Sequence, residues 1–190
     1  MLMTFVDIRY QNSLAPSIEK KMMRHLFLLI AILFCSSCVK DDEEEIIGRQ
    51  AEYELLPANA EYIYEGRVLF RDLKSGGVEI TIELSGNKGD AAYYFPAHLH
   101  HGAYDTPEAP MAAMLNPVDI RTLKSVTVVN KLATGEPFLF DDLDGFDGHI
   151  KVHLADDGPD YHVILVAGNI GKNKALGSIA LEKITMCLPN

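Results

Sequence analysis

Tyr62-Ile63-Tyr64-Glu65-Gly66-Arg67-Val68-Leu69-Phe70, then Lys74-Ser75-Gly76-Gly77, then Val78-Glu79-Ile80-Thr81-Ile82-Glu83-Leu84 is the run that decides the fold. Its last segment alternates apolar with charged or hydroxylated residues, the period-two signature of a strand with one face in a core and the other toward water. Gly76 and Gly77 supply turn chemistry between two extended runs, so the stretch predicts a β-hairpin. Asn87-Lys88-Gly89-Asp90 makes the next turn. Segments 92–101, 125–131, 148–154, 161–167 and 175–184 continue the series, each β-rich and bounded by Gly, Pro, Asn or Asp. No amphipathic helical period of useful length interrupts them. Seven or eight strands in so short a chain predict an all-β sandwich or barrel, not alternating βα units.

Upstream the composition changes. Met23-Arg24-His25 followed by the nine apolar residues 26–34 forms a basic n-region and an h-region, too short for a membrane-spanning helix, which needs roughly 20 residues. Residues 1–37 therefore read as a secretory signal, with Met22 or Met23 as the true start. Ser36-Ser37-Cys38 resembles a bacterial lipobox and makes Cys38 the expected lipidated residue, although Cys35 stands where Leu is usual. Val39-Lys40-Asp41-Asp42-Glu43-Glu44-Glu45 resembles the tether that sends lipoproteins of the Bacteroidota to the cell surface; a solvated acidic linker is the other reading. The expected organisation is a signal over 1–37, a lipidated Cys38 and acidic tether over 38–60, and one folded domain over 61–190. The expected location is the bacterial envelope, as an outer-membrane lipoprotein whose partner is the membrane.

Removing residues 1–37 takes away four Lys/Arg and two Asp/Glu and moves the formal charge from −10 to −12. That balance excludes nucleic acid as a partner. With Cys35 lost and Cys38 lipidated, Cys187 is left without an intrachain partner, so stability must come from the core. No Gly-x-Ser-x-Gly elbow, phosphate loop or His-Glu-x-x-His motif is present, and the Cys-x-x-Cys spacing of Cys35 and Cys38 falls at the end of the signal. The acidic run Asp141-Asp142-Leu143-Asp144-Gly145-Phe146-Asp147 lacks the spacing of an EF-hand and reads as a solvated loop.

The chemistry concentrates in Phe95-Pro96-Ala97-His98-Leu99-His100-His101 and Lys151-Val152-His153. Residues two apart share one face of a strand, so His98 and His100 present two imidazoles side by side. If His153 lies on a neighbouring strand, a third joins them, and three neutral imidazoles suit copper or zinc. His101 faces the other way. His149 shares parity with His153 but lies too far along the strand to bind the same ion.

Taken in order, Gly66-Arg67-Val68-Leu69-Phe70 with 78–84, the His98-Leu99-His100 pair, Ala113-Met114-Leu115-Asn116-Pro117, and Val152-His153-Leu154-Ala155-Asp156-Asp157 followed by Gly168-Asn169-Ile170-Gly171 resemble the copper/zinc superoxide dismutase superfamily over about 65–184, nearly all of the expected folded part. The resemblance implies a Greek-key β-sandwich or flattened barrel of about eight antiparallel strands, with His98, His100 and His153 as ligands of one copper ion. It also marks departures. Met114 stands where the family has the imidazole that bridges copper and zinc, and no histidine lies between Pro117 and His149, so no family-type zinc site is expected. Met114 could give copper a thioether or simply fill a core gap. Near the family's anion-guiding arginine the run is Lys172-Asn173-Lys174, leaving Lys172 and Lys174 as candidates for that role.

Superoxide dismutation is the activity the resemblance implies. A strongly negative chain opposes an anionic substrate unless those lysines focus the field locally. Copper holding or redox protection is thus the leading expectation. His98-Leu99-His100-His101-Gly102 also resembles the His-x-His-Gly pattern of CHRD domains, which implies a non-catalytic surface module for adhesion or partner binding.

Overall fold

The structure, a computed structural model, describes residues 45–174 and 183–184. Eight strands follow one another: β1 (Ile46–Pro57), β2 (Glu65–Leu73), β3 (Val78–Ser85), β4 (Tyr94–His101), β5 (Met111–Asp119), β6 (Lys124–Val129), β7 (Asp147–His153) and β8 (Ile164–Gly171). Short 3-10 turns, Phe140–Gly145 and Pro159–His162, precede β7 and β8. The strands close an antiparallel barrel in the order β1-β2-β3-β6-β5-β4-β7-β8. The fold is all-β, as the period-two pattern predicts.

The pattern also shows why each strand sits as it does. In β3, Val78, Ile80, Ile82 and Leu84 enter the core, while Glu79 and Glu83 face out and pair with Arg71 at 2.7 Å and Arg67 at 2.8 Å. β2 and β3 are joined in register from Glu65↔Ser85 to Asp72↔Val78, the hairpin expected around Gly76 and Gly77. Next, β4, β5 and β6 form a meander. β3 lies beside its last strand and β7 beside its first, so the chain returns across the end of the barrel in a Greek key. Pairing of Leu56 with Ala167 and of Pro57 with Val166 closes the ring.

Two strands differ from the sequence reading. β1 occupies residues expected to be tether, and the folded part starts well before residue 61. Its alternation is short: only Tyr53 and Leu55 are buried between exposed Glu52 and Glu54, and the preceding acidic run disguises it. β5 covers the Ala113-Met114-Leu115-Asn116-Pro117 motif, where small and turn-forming residues hide an extended segment. The signal, Cys38, the residues of the acidic tether up to 44, Cys187 and most of the expected strand over 175–184 lie outside the described residues.

Barrel closure depends on a missing side chain. A Cβ at Gly168 of β8 would sit 2.2 Å from the Glu54 carbonyl oxygen of β1, a contact that only backbone movement relieves. Gly168→Ala is expected to cost roughly 1–3 kcal/mol in urea unfolding. Gly145→Ala, with nothing near the added carbon, should stay within about 0.5 kcal/mol of wild type. Equal stability of the two variants would contradict this account of the closure.

Candidate metal centre

β4 is hydrogen-bonded to β7 on one side and β5 on the other. With β7 the register is Ala97↔Val152, His98↔Lys151, Leu99↔Ile150 and His100↔His149. Ala97, Leu99, Ile150 and Val152 point into the core. Alternation therefore sends His98, His100, His149 and Lys151 to the outer face of the barrel. An outer face normally meets water, yet His98 is 6% exposed, His100 2%, Lys151 1%, and His149 and His153 are fully buried. The connections over 102–110 and 154–163 roof this face, and they do so through the imidazoles themselves.

Three rings are held in the same way. His100 Nδ1–H donates to the Ala109 carbonyl at 3.1 Å, His149 Nδ1–H to Gly102 at 2.8 Å, and His153 Nδ1–H to Tyr161 at 2.8 Å. Each bond fixes a tautomer whose lone pair is on Nε2, the arrangement in which a backbone carbonyl orients a metal-binding imidazole. Tyr161 also stacks its ring on His153, centroids 4.8 Å apart and planes 9° from parallel. His98 differs: its Nδ1 is buried and has no hydrogen-bond partner.

His98, His100 and His153 each offer one nitrogen, and these atoms all lie within 4.8 Å of one another. The three residues expected to converge do converge. Burial, the largest cause, lowers the proton affinity of all three, His100 and His153 to about 4. The charge of Lys151 and the neighbouring imidazoles act in the same direction on His100 and His153. At neutral pH the cluster is therefore a set of uncharged donors, as metal ligation requires. The unsatisfied Nδ1 of His98 fits the same use, since a coordinate bond would employ a lone pair that nothing else in the described structure engages. These three buried histidines could form a metal site.

Other candidates fall elsewhere. His101 packs its ring on Phe146, centroids 5.4 Å apart, away from the cluster. His149 stacks on His100 at 5.1 Å and 11°, and burial pushes it down to about 3. It stands outside the three-nitrogen group, and its Nε2 has no hydrogen-bond partner. Sequence parity places His149 on the correct face, but only the β4–β7 register reveals its contact with His100. Met114 sits opposite His98 on β5 and is 66% exposed, so it is not a core filler. Lys172 pairs with Asp147 at 3.0 Å and Lys174 with Asp144 at 3.3 Å.

Two residues had no role in the sequence reading. Lys151 is buried within the imidazole layer, which no pattern of apolar spacing marks in advance. Met111, half-buried, faces His100 across β5. A groove of about 500 Å³ runs past Tyr94, Pro96, Met111, Met114 and Asp157 to His98. Lys172 and Lys174 do not line it.

A scan against protein-family models finds no match, and searches of curated proteins and of solved structures find none either.

The depressed histidines set an acid limit. Unfolded, His100 and His153 take up protons near pH 6.5; folded, only near 4. Between those values the unfolded chain holds more protons, so the contribution to stability is complete above about pH 6.5 and drains away as pH falls toward about 4. Melting temperatures of the metal-free protein should drop through this window. A His100→Gln/His153→Gln variant should flatten the drop, and an unchanged slope would contradict the burial of neutral rings.

Proposed function

We propose that this protein holds one copper ion at His98, His100 and His153 on the outer surface of an envelope-anchored, superoxide dismutase-like barrel, serving copper holding or redox protection. The observation that carries the reading is the convergence of three buried, neutral imidazole nitrogens within 4.8 Å. Copper fits the donor set because imidazole serves both of its oxidation states. The closed eight-strand Greek key agrees with the fold that the resemblance implies. Anchoring through Cys38 would place this centre at the outer membrane.

Bound copper would supply one-electron chemistry. The protein's own part is to hold the three rings by their Nδ1–H bonds or by packing, and to exclude water beneath the roof of 102–110 and 154–163. Holding is favoured over turnover of superoxide because the groove that reaches His98 contains no Lys or Arg among its lining residues.

The purified protein should take up one equivalent of copper in a titration followed by spectroscopy and mass spectrometry. His98→Ala/His100→Ala should lose it; equal uptake by both would remove the site. Cys38→Ser should move the protein from the membrane fraction to the soluble fraction, and continued membrane retention would contradict lipid anchoring.

A further inference from the structure

We propose that the groove ending at His98 is a loading port for Cu(I), in which Asp156 and Asp157 draw the cation in and the thioethers of Met111 and Met114 pass it to His98. This rests on the copper reading above and concerns how the ion arrives. The groove touches only one of the three ligands. His98 lines it, whereas His100 and His153 do not. His98 is also the ligand whose buried Nδ1 lacks a hydrogen-bond partner, so behind the groove wall lies a lone pair that nothing in the described structure engages.

The thioethers are there because of a local irregularity. Met111 and Met114 are three residues apart, and a regular strand would aim them at opposite faces. In β5 the pairing passes from Leu99↔Ala113 to His100↔Met111, skipping Ala112. One extra residue reverses the alternation beyond it. Both methionines consequently line the same groove, Met114 across from His98 and Met111 across from His100. Thioethers bind Cu(I) softly and exchange it readily, whereas Cu(II) prefers nitrogen and oxygen.

The charge of the groove favours entry of a cation of either oxidation state, and the thioethers discriminate between the two. Asp156 and Asp157 are exposed and line it, with no Lys or Arg among the lining residues. Lys172 and Lys174 lie outside the groove and are paired with Asp147 and Asp144. A negative channel concentrates cations and repels anions.

The test mixes the metal-free full chain rapidly with Cu(I) supplied as its acetonitrile complex, then measures equilibrium affinity against a chelator. Met111→Leu/Met114→Leu should slow Cu(I) uptake several-fold while leaving both Cu(II) uptake and the final Cu(I) affinity near wild type. Asp156→Asn/Asp157→Asn should slow uptake of both ions on the order of tenfold at low salt, with the difference shrinking as salt is added. Wild-type uptake rates in both variants would overturn the port while leaving the copper site intact. Loss of affinity in step with rate in the methionine variant would also overturn it, because the thioethers would then be resident ligands. A wild-type protein that binds no copper would overturn the site and the port together.

Discussion

The pairing of β4 with β7 is the constraint on which everything else depends. Its register sets His98 against Lys151 and His100 against His149, and with Ala97, Leu99, Ile150 and Val152 committed to the core, no other face is open to the polar residues. A slip of one residue would drive the imidazoles into the barrel and the aliphatic side chains out. Apolar packing on one side of the sheet thus determines donor geometry on the other. The polar side is not free of cost. Unpartnered nitrogens on His98 and His149 each represent about 1–3 kcal/mol of desolvation that no hydrogen bond in the described structure offsets.

The roof over this face and the rings beneath it stabilise one another. Carbonyls of Gly102 and Ala109 in one connection, and of Tyr161 in the other, take the Nδ1 protons of three histidines. Gly102 can end β4 and present its carbonyl because it adopts φ +78, where a side chain would also meet Thr106. Tyr104, in the same connection, is pinned from below by Asn169 of β8 at 2.8 Å. The order of these loops is therefore a property of the site as much as of the chain that forms them.

Much of the barrel was legible from residue alternation. Residues 78–84 show it most clearly, and the hairpin with β2 follows from the glycines between. β1 was not, because its alternation spans only a few residues after a run of acids, and its role in closure is set by β8, far along the chain. The trio His98, His100 and His153 was legible because spacing of two on a strand is a local rule and the third imidazole needed only a neighbouring strand. His149, Lys151 and Met111 were not. Their positions depend on cross-strand register and on a bulge, which are properties of paired strands and leave no mark in either strand alone.

The face-to-face contact between Tyr161 and His153 carries an optical consequence. The chain contains eight tyrosines and no tryptophan, so its ultraviolet emission comes from phenol rings alone. One of those rings lies flat against an imidazole of the proposed centre and is bonded to it through its own backbone. Oxidised to the open-shell Cu(II) state, an ion seated on that imidazole would quench this tyrosine before the others. The fold thus carries a native fluorophore beside the place where the ion would reside, and occupancy by the oxidised ion can be followed in unlabelled protein.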